Sequence, residues 1–192
     1  FRCNGSDGYI AWLDNVLEIR DTANFDIDGF DYDFKVLDDP NELRTAIEEK
    51  NKENNKSRIV AGYCWEWPND KNRSNDDDKN IKIPQYNFEM SWNLSGGESF
   101  AIGEHTVKQA GCIHTTQGLE FDYVGVIIGD DMRYDNEKVI TDFTKRASTD
   151  RSLWGIKSMY KKDRENALKV ADEIIKNTYR TLMTRGMKGC YV

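Results

Sequence analysis

The sequence predicts an α/β fold in which helices cover both faces of a mainly parallel sheet, giving three layers. Two observations lead to this prediction. Short apolar runs, typical of buried strands, alternate with longer segments whose apolar residues recur every three or four positions, as in amphipathic helices. Strands that alternate with helices usually pair in parallel, because each helix returns the chain to the same edge of the sheet. Residues 1–192 are interpreted as one domain.

Three segments have the apolar spacing of helices. The first covers residues 9–17, with Ser6 or Asp7 as its N-cap. The second starts with a proline in its first turn and covers residues 40–54. The third and longest covers residues 163–182, where apolar side chains form one continuous stripe.

Six apolar runs are predicted to be strands. The run at 123–128 is the most apolar in the chain, so it is expected inside the sheet, where both of its faces are covered. The full set of predicted strands is 34–37, 58–64, 88–92, 111–114, 123–128 and 189–192.

Two long segments are predicted to lack strands and helices. Residues 66–83 are interpreted as a surface loop, because Asn72–Asn80 is almost free of apolar side chains. Residues 130–162 are interpreted as a long polar connection. The chain starts at Phe1 and stops in what resembles the opening of a strand, so we expect it to be a fragment of a longer chain.

Composition limits the classes of function. The formal net charge of −7 excludes a wholly basic nucleic-acid binder. Residues 157–188 nevertheless contain nine Lys or Arg against four Asp or Glu. This segment fits either a local positive face or an ordinary solvated helix surface.

The cysteines and histidines argue against a metal site. The four cysteines are scattered without a CxxC pair, and there are only two histidines. We therefore predict free thiols in a cytoplasmic protein and no metal. No apolar run is long enough to span a membrane, so a membrane partner is not expected. The cysteines are Cys3, Cys64, Cys112 and Cys190.

A polar stretch stands directly before the most apolar run, in IHTTQGLEFDYVGVIIG. Ligands of parallel sheets bind at the carboxyl ends of strands, and residues 114–117 are predicted to lie at such an end. Gly118 permits a tight turn or a close approach of the backbone to a ligand. Glu120 offers an acceptor for a hydroxyl group such as that of a ribose.

These residues carry a resemblance to a known family. IHTTQGLEFDYVGVI resembles motif V of superfamily 1 helicases, YRTLMTRGMKGCYV resembles motif VI, and FRC at the start resembles motif IV. The three occur in the family's order. Their wording is most similar to an uncharacterised bacterial P-loop (ATP/GTP-binding) family related to the Schlafen group 3 helicase-like domain. The resemblance implies a RecA-like C-terminal domain, the second of two domains that clasp ATP.

The resemblance also implies roles for particular residues. Arg185 would be the arginine finger of motif VI and Arg2 the arginine of motif IV, because a guanidinium meets phosphate oxygens bidentately. Glu120 would bind the nucleotide ribose. The remaining expected positions are Gln117 and Gly118, near the phosphates, and His114, Thr115 and Thr116, which face single-stranded nucleic acid or transmit the nucleotide state to it.

One departure limits what this chain can do alone. No G-x-x-x-x-G-K-[ST] occurs in it, and in the resembled family that P-loop belongs to the preceding domain. ATP and Mg²⁺ are therefore expected only in the full-length protein, held by an N-terminal P-loop domain of the same parent chain. The fragment itself is expected to be an inactive monomer without tightly bound nucleotide, and its further partner would be single-stranded DNA or RNA.

Less specific readings of the same residues stay open. Arg185 fits a cation that pairs with the dipole at the end of a helix. Glu120 fits a surface carboxylate, and His114 fits a histidine of the core. The alternative function is a non-catalytic RecA-like binding or regulatory module with vestigial helicase motifs.

Overall fold

A computed structural model describes residue 3 and residues 7–29, 31–66, 79–94 and 97–192. In these residues the helices are α1 (Asp7–Val16), α2 (Pro40–Asn54), α3 (Gly97–Ile102), α4 (Ile156–Lys162) and α5 (Arg164–Met183). The strands are β1 (Asp33–Lys35), β2 (Ser57–Ala61), β3 (Ile81–Ile83), β4 (Phe88–Trp92), β5 (Gln109–Gly111), β6 (Phe121–Ile127), β7 (Met132–Asp135), β8 (Lys138–Thr141) and β9 (Gly186–Tyr191).

Seven of the described strands form one sheet in the order β1-β9-β6-β2-β5-β4-β3. Every pairing in it is parallel except that of β3 with β4 at one edge. The prediction of a mainly parallel α/β sheet is therefore confirmed. Its interior strand β6 pairs with β2 on one side and β9 on the other, as its apolar sequence indicates.

Helices cover both faces of the sheet. On one face α2 buries Leu43 and Ile47 against a cluster that includes Ile59 of β2. On the other face α1 and α5 share a second cluster, in which Tyr9 and Ile175 are fully buried. Apolar burial on this scale stabilises the fold by about 25 cal/mol per Å² removed from water. The three-layer arrangement follows from these two clusters and is compatible with a RecA-like fold.

Local sequence determines where α2 and α5 begin. The Asp39 carboxylate accepts a hydrogen bond from the backbone N–H of Asn41 at 2.8 Å, and Pro40 occupies the first turn. In the same way the Asp163 carboxylate accepts from the N–H of Asn166. Each cap satisfies a backbone donor that has no partner within the helix and contributes about 1 kcal/mol.

The strand predicted at 111–114 is wrong in its position. β5 covers Gln109–Gly111; its ladder with β4 ends at Ala110, opposite Trp92, and its ladder with β2 ends at Gly111, opposite Val60. Cys112 takes part in neither ladder. Its carbonyl instead accepts from the N–H and the hydroxyl of Thr116, each at 3.1 Å, which starts a helical turn.

The surface loop predicted at 66–83 is shorter than expected at its carboxyl end. Ile81–Ile83 forms β3, which pairs antiparallel with β4 and buries Ile81 completely. Two isoleucines separated by one residue are enough for this edge strand, since alternate side chains face the core. Residues 67–78 lie outside the described residues.

The polar connection predicted at 130–162 contains regular structure. β7 and β8 form a hairpin whose two-residue turn has Asn136 at φ 50° and Glu137 at φ 61°. Two left-handed residues match the twist of a hairpin, but this turn lacks the usual glycine, so the sequence gives little sign of it. Helix α4 follows and packs against α5.

A buried ion cluster holds separate parts of this connection together and links it to α5. Arg146 contacts Asp131 at 2.9 Å and Asp150 at 2.7 Å, and all three side chains are at most 3% exposed. Burial alone would lower the pKa of Arg146, but the two carboxylates raise it above its ordinary value. Asp131 also accepts from the hydroxyl of Tyr179 in α5. We call Arg146, Asp131 and Asp150 the Arg146 cluster.

Arg58 is a further buried cation. It is fully buried in β2 and donates to the carbonyls of Phe100, Ala101 and Gly103 at the end of α3, and to the side chain of Asn51 in α2. Desolvation lowers the pKa of Arg58 to about 10. All of these partners are carbonyl or amide oxygens. Arg58 therefore connects the end of α3 to α2 without pairing with an acidic residue that the structure describes.

The thiols agree with the sequence prediction. Cys3, Cys112 and Cys190 are buried, Cys64 is half-buried, and all four are thiols outside any disulfide. No helix within the described ranges has the length and apolar character needed to cross a membrane.

Candidate functional site

Residues 112–119, which we name the crossover turn, connect the carboxyl end of β5 to the amino end of β6. Backbone hydrogen bonds of helical type hold it, including Gln117 N–H to His114 O at 3.3 Å and Leu119 N–H to Thr116 O at 3.1 Å. Gly118 has φ +78°, a conformation that side-chain-bearing residues rarely adopt. The turn therefore ends at a position where glycine is strongly favoured.

Arg185 meets the end of this turn. It lies two residues after the end of α5 and directly before β9, and its carbonyl accepts from the N–H of Phe121 at 2.8 Å. Its guanidinium Nη1 donates to the carbonyl of Leu119 at 3.3 Å. The side chain is thus positioned by α5 on one side and by the crossover turn on the other, and only 7% of Arg185 is exposed.

A cleft of about 380 Å³ lies between the crossover turn and the end of α5. Three of the predicted site residues, Gln117, Gly118 and Arg185, line it together with His114. The complete lining is Ile113, His114, Gln117, Gly118, Thr181 and Arg185. None of these is acidic, so the described lining offers a guanidinium, an amide and an imidazole without an opposing carboxylate. Such a surface suits an anion with several oxygens, such as a phosphate group.

The position of this cleft on the sheet differs from the prediction. Phe121 of β6 lies beside Gly186 of β9 in the parallel register, so Glu120 and Arg185 both stand just before the amino ends of neighbouring strands. We expected residues 114–117 at the carboxyl end of a strand, and His114 does follow the carboxyl end of β5. The rest of the crossover turn carries the chain to the amino edge, because β5 and β6 both run parallel to β2. Glu120 is exposed near the cleft without lining it.

The two threonines point into the protein. Thr116 is fully buried and its hydroxyl bonds to the carbonyl of Cys112. Thr115 is 7% exposed and its hydroxyl donates to the side-chain oxygen of Asn93, directly after β4. Two roles were expected for these residues. The buried hydroxyls do not face a nucleic acid in this arrangement, but their internal hydrogen bonds fit the second role, transmission of the nucleotide state.

His114 is exposed, and its ring lies edge-on to Tyr63 with centroids 6.5 Å apart. Burial raises the pKa of Tyr63 to about 12, so this phenol stays neutral near pH 7. His114 is therefore a surface residue supported by a buried ring, and it does not lie in the core. Arg2 lies outside the described residues.

Sequence reasoning missed three residues of this region. Thr181 stands four positions before Arg185, a spacing that places both on one side of the helix end. Asn93 and Tyr63 each follow a buried strand closely, and that position is the signal that would have found them. Among the described residues no group of three or more His, Cys, Asp or Glu could hold a metal ion.

Comparison with known proteins adds independent information. A family model described as "Schlafen group 3, DNA/RNA helicase domain" matches residues 1–192. The chain is similar to the uncharacterized protein YPL245W of Saccharomyces cerevisiae, with 29% identity over 188 residues. That match covers 96% of this chain and 39% of the yeast protein, so the chain spans about two fifths of its relative's length. No solved structure matches the chain.

Proposed function

Since this chain belongs to the Schlafen group 3, DNA/RNA helicase domain family, we propose that it acts as the C-terminal, RecA-like motor domain of a superfamily 1-like DNA or RNA helicase or nucleic-acid-dependent NTPase. In this proposal it completes a nucleotide site whose P-loop lies on another domain of the same parent chain. The chain spans only part of its yeast relative, which leaves room for such a domain in proteins of this kind.

The observation that carries the proposal is the convergence of Arg185, Gln117 and Gly118 on one cleft without acidic lining. A phosphate entering this cleft would meet a guanidinium that stays charged at any physiological pH. The carbonyl of Leu119 holds that guanidinium at 3.3 Å, which preorganises it for a second, charged partner. Positioned charge of this kind is what phosphoryl transfer requires of a protein.

The other residues have supporting roles in this proposal. Glu120, exposed beside the cleft, accepts from the hydroxyls of the nucleotide ribose. His114 faces single-stranded nucleic acid from the exposed end of the crossover turn. Thr115 and Thr116 connect that end to Asn93 and β5, so a shift of the turn on nucleotide binding would move the nucleic-acid contact with it.

ATP with Mg²⁺ would be bound mainly by the P-loop domain, which supplies the phosphate-cradling amides and the lysine. ATP supplies the γ-phosphoryl group that is transferred to water. The residues of this chain bind the ribose and stabilise charge at the phosphate oxygens. The non-catalytic alternative, a RecA-like binding or regulatory module, is favoured by the low exposure of Arg185, which is compatible with a purely structural cation.

The purified 192-residue chain is expected to show no ATP turnover, because the residues that cradle the phosphates are missing from it. Phosphate release should stay at the level of a mock purification from the same host. The full-length parent, assayed in parallel, should hydrolyse ATP and respond to single-stranded DNA or RNA. Turnover by the short chain above the mock level would contradict the two-domain proposal.

Glu120→Ala in the parent is expected to weaken nucleotide binding more than it slows turnover. A hydrogen bond to a charged group contributes about 1.5–3 kcal/mol, so the dissociation constant of a non-hydrolysable ATP analogue should rise about tenfold or more. Glu104→Ala is the matched control, since Glu104 is an exposed glutamate outside the cleft. If Glu120→Ala binds the analogue like the parent, the ribose contact is wrong.

A further inference from the structure

The basic residues of the last 42 positions fall into two groups. Three of them form ion pairs: Lys176 with Glu18 and with Asp172 of α5, Arg180 with Asp14 of α1, and Lys188 with Asp122 of β6. Apart from Arg185, which lines the cleft, the remaining basic residues are exposed and take part in none of the ion pairs between described residues. These exposed residues are Arg151, Lys157, Lys161, Lys162, Arg164 and Lys169. In a chain of net charge −7, residues 151–169 thus carry six exposed cations against two acids, Asp163 and Glu165.

Aromatic rings lie within the same segment. Trp154 is 68% exposed, and the guanidinium carbon of Arg151 lies 5.2 Å from the centroid of its ring. The guanidinium carbon of Arg164 lies 5.3 Å from the ring of Tyr160. Each of these two rings thus lies beside a guanidinium, and an exposed ring next to a cation can stack on a base while the cation meets the backbone of the same strand.

These groups form one continuous surface. Trp154, Lys157 and Phe143 line a cavity of about 210 Å³. The ring of Phe143 lies 5.7 Å from that of Tyr160, which joins the cavity to the second pair of ring and guanidinium. Lys157 and Lys161 are one turn apart on α4 and share a face. We name the Trp154 surface by its members: Arg151, Trp154, Lys157, Tyr160, Lys161 and Arg164.

We propose that the Trp154 surface binds single-stranded nucleic acid, with a base stacked on Trp154 and phosphates contacted by the surrounding cations. The inference rests on the proposed function, for which it supplies a nucleic-acid contact away from the cleft at Arg185. Unpaired bases present flat rings that stack on exposed aromatic side chains, and the backbone follows positive charge. Duplexes offer no free base to stack, so single strands are the matching class.

Binding of fluorescein-labelled oligothymidylate and oligouridylate 15-mers to the 192-residue chain tests this, by anisotropy over a series of salt concentrations. Trp154→Ala should raise the dissociation constant by about tenfold, as expected when one base can no longer stack. Lys157→Gln with Lys161→Gln should reduce the slope of log affinity against log salt by about 0.7 for each phosphate that no longer meets a cation. Circular dichroism establishes that the variants are folded.

Two matched controls isolate the site. Phe25→Ala removes an aromatic ring that is 78% exposed in the acidic N-terminal part of the chain. Lys52→Gln with Lys56→Gln removes the same charge from α2 and the turn after it, on the other face of the sheet. Both should bind the oligonucleotides like the unchanged chain, and a loss as large as that of the Trp154 surface variants would overturn the inference.

Other outcomes would also overturn it. These are no measurable binding by the unchanged chain, unchanged binding by Trp154→Ala, and displacement of the oligonucleotide by equimolar polyglutamate, which would indicate an acidic protein partner. ATPase assays of the parent separate this inference from the proposed function. If Trp154→Ala binds normally while Arg185→Ala abolishes hydrolysis, only the Trp154 surface is wrong. If Arg185→Ala hydrolyses normally while Trp154→Ala loses binding, the motor assignment is wrong.

Discussion

Arg185→Ala in the full-length parent is expected to lower NTP turnover by about 10²-fold or more while leaving nucleotide binding nearly unchanged. The P-loop domain supplies most contacts to the ground state. Arg185 acts on negative charge that grows at the phosphate oxygens during transfer. An interaction that strengthens in the transition state affects the turnover number and has little effect on the dissociation constant. Steady-state ATPase and equilibrium binding of a non-hydrolysable analogue measure the two effects.

Two further variants sharpen this test. Arg185→Lys should recover little activity, because an ammonium group cannot reproduce the planar, bidentate contact of a guanidinium. Arg133→Ala removes an exposed arginine from β7 and should hydrolyse NTP like the parent. Because Arg185 also bonds to Leu119, the melting temperature of each variant must be measured. Parental turnover in Arg185→Ala would show that Arg185 is a structural cation at the helix end.

Arg146→Ala is expected to destabilise the folded chain by about 3–5 kcal/mol, the largest stability effect that we predict. The change leaves Asp131 and Asp150 buried side by side without the cation that now contacts both. Desolvated carboxylates of like charge are costly. The variant also loses the contacts that hold Asp131 and Asp150 together within the 130–162 connection. Urea unfolding followed by circular dichroism gives the free energy of unfolding.

The matched control is Arg20→Ala. Arg20 also pairs with a buried aspartate, Asp14, but its side chain is 66% exposed and Asp14 keeps its contact with Arg180. Its loss should cost no more than about 1 kcal/mol. Adding Asp150→Asn to Arg146→Ala removes one uncompensated charge and should recover part of the stability. Equal losses in the Arg146 and Arg20 variants would contradict the importance assigned to the Arg146 cluster.

Elements with local signals were predictable. Helices α2 and α5 begin where Asp39 and Asp163 cap them, and β6 lies inside the sheet as its apolar run indicates. The convergence of Gln117, Gly118 and Arg185 followed from motif resemblance, since Arg185 is more than 60 residues from the other two and no local pattern connects them.

Elements that depend on tertiary contacts were not predictable. β5 ends one residue after its ladder with β4 stops, and the carbonyl of Cys112 then bonds to Thr116, which no reading of the residues near Cys112 reveals. Arg58 stands in an apolar run that predicts a strand buried on both faces. The arginine is tolerated there because the carbonyls of Phe100, Ala101 and Gly103 converge on it from 42 or more positions away. The burial of the Thr115 hydroxyl likewise depends on a distant residue, Asn93, which accepts its hydrogen bond.

The placement of β9 affects how the chain can fold. This strand lies between β1 and β6, and Asp33 of β1 pairs in register with Gly189, so two segments more than 150 residues apart must meet. Contacts so distant in sequence are slow to form, because a long loop must close before they contribute. During synthesis the sheet stays incomplete until residues 186–191 have emerged, and until then one side of β6 and all of β1 offer unpaired backbone groups. We therefore expect this chain to depend on protection from strand-to-strand aggregation until its last strand inserts.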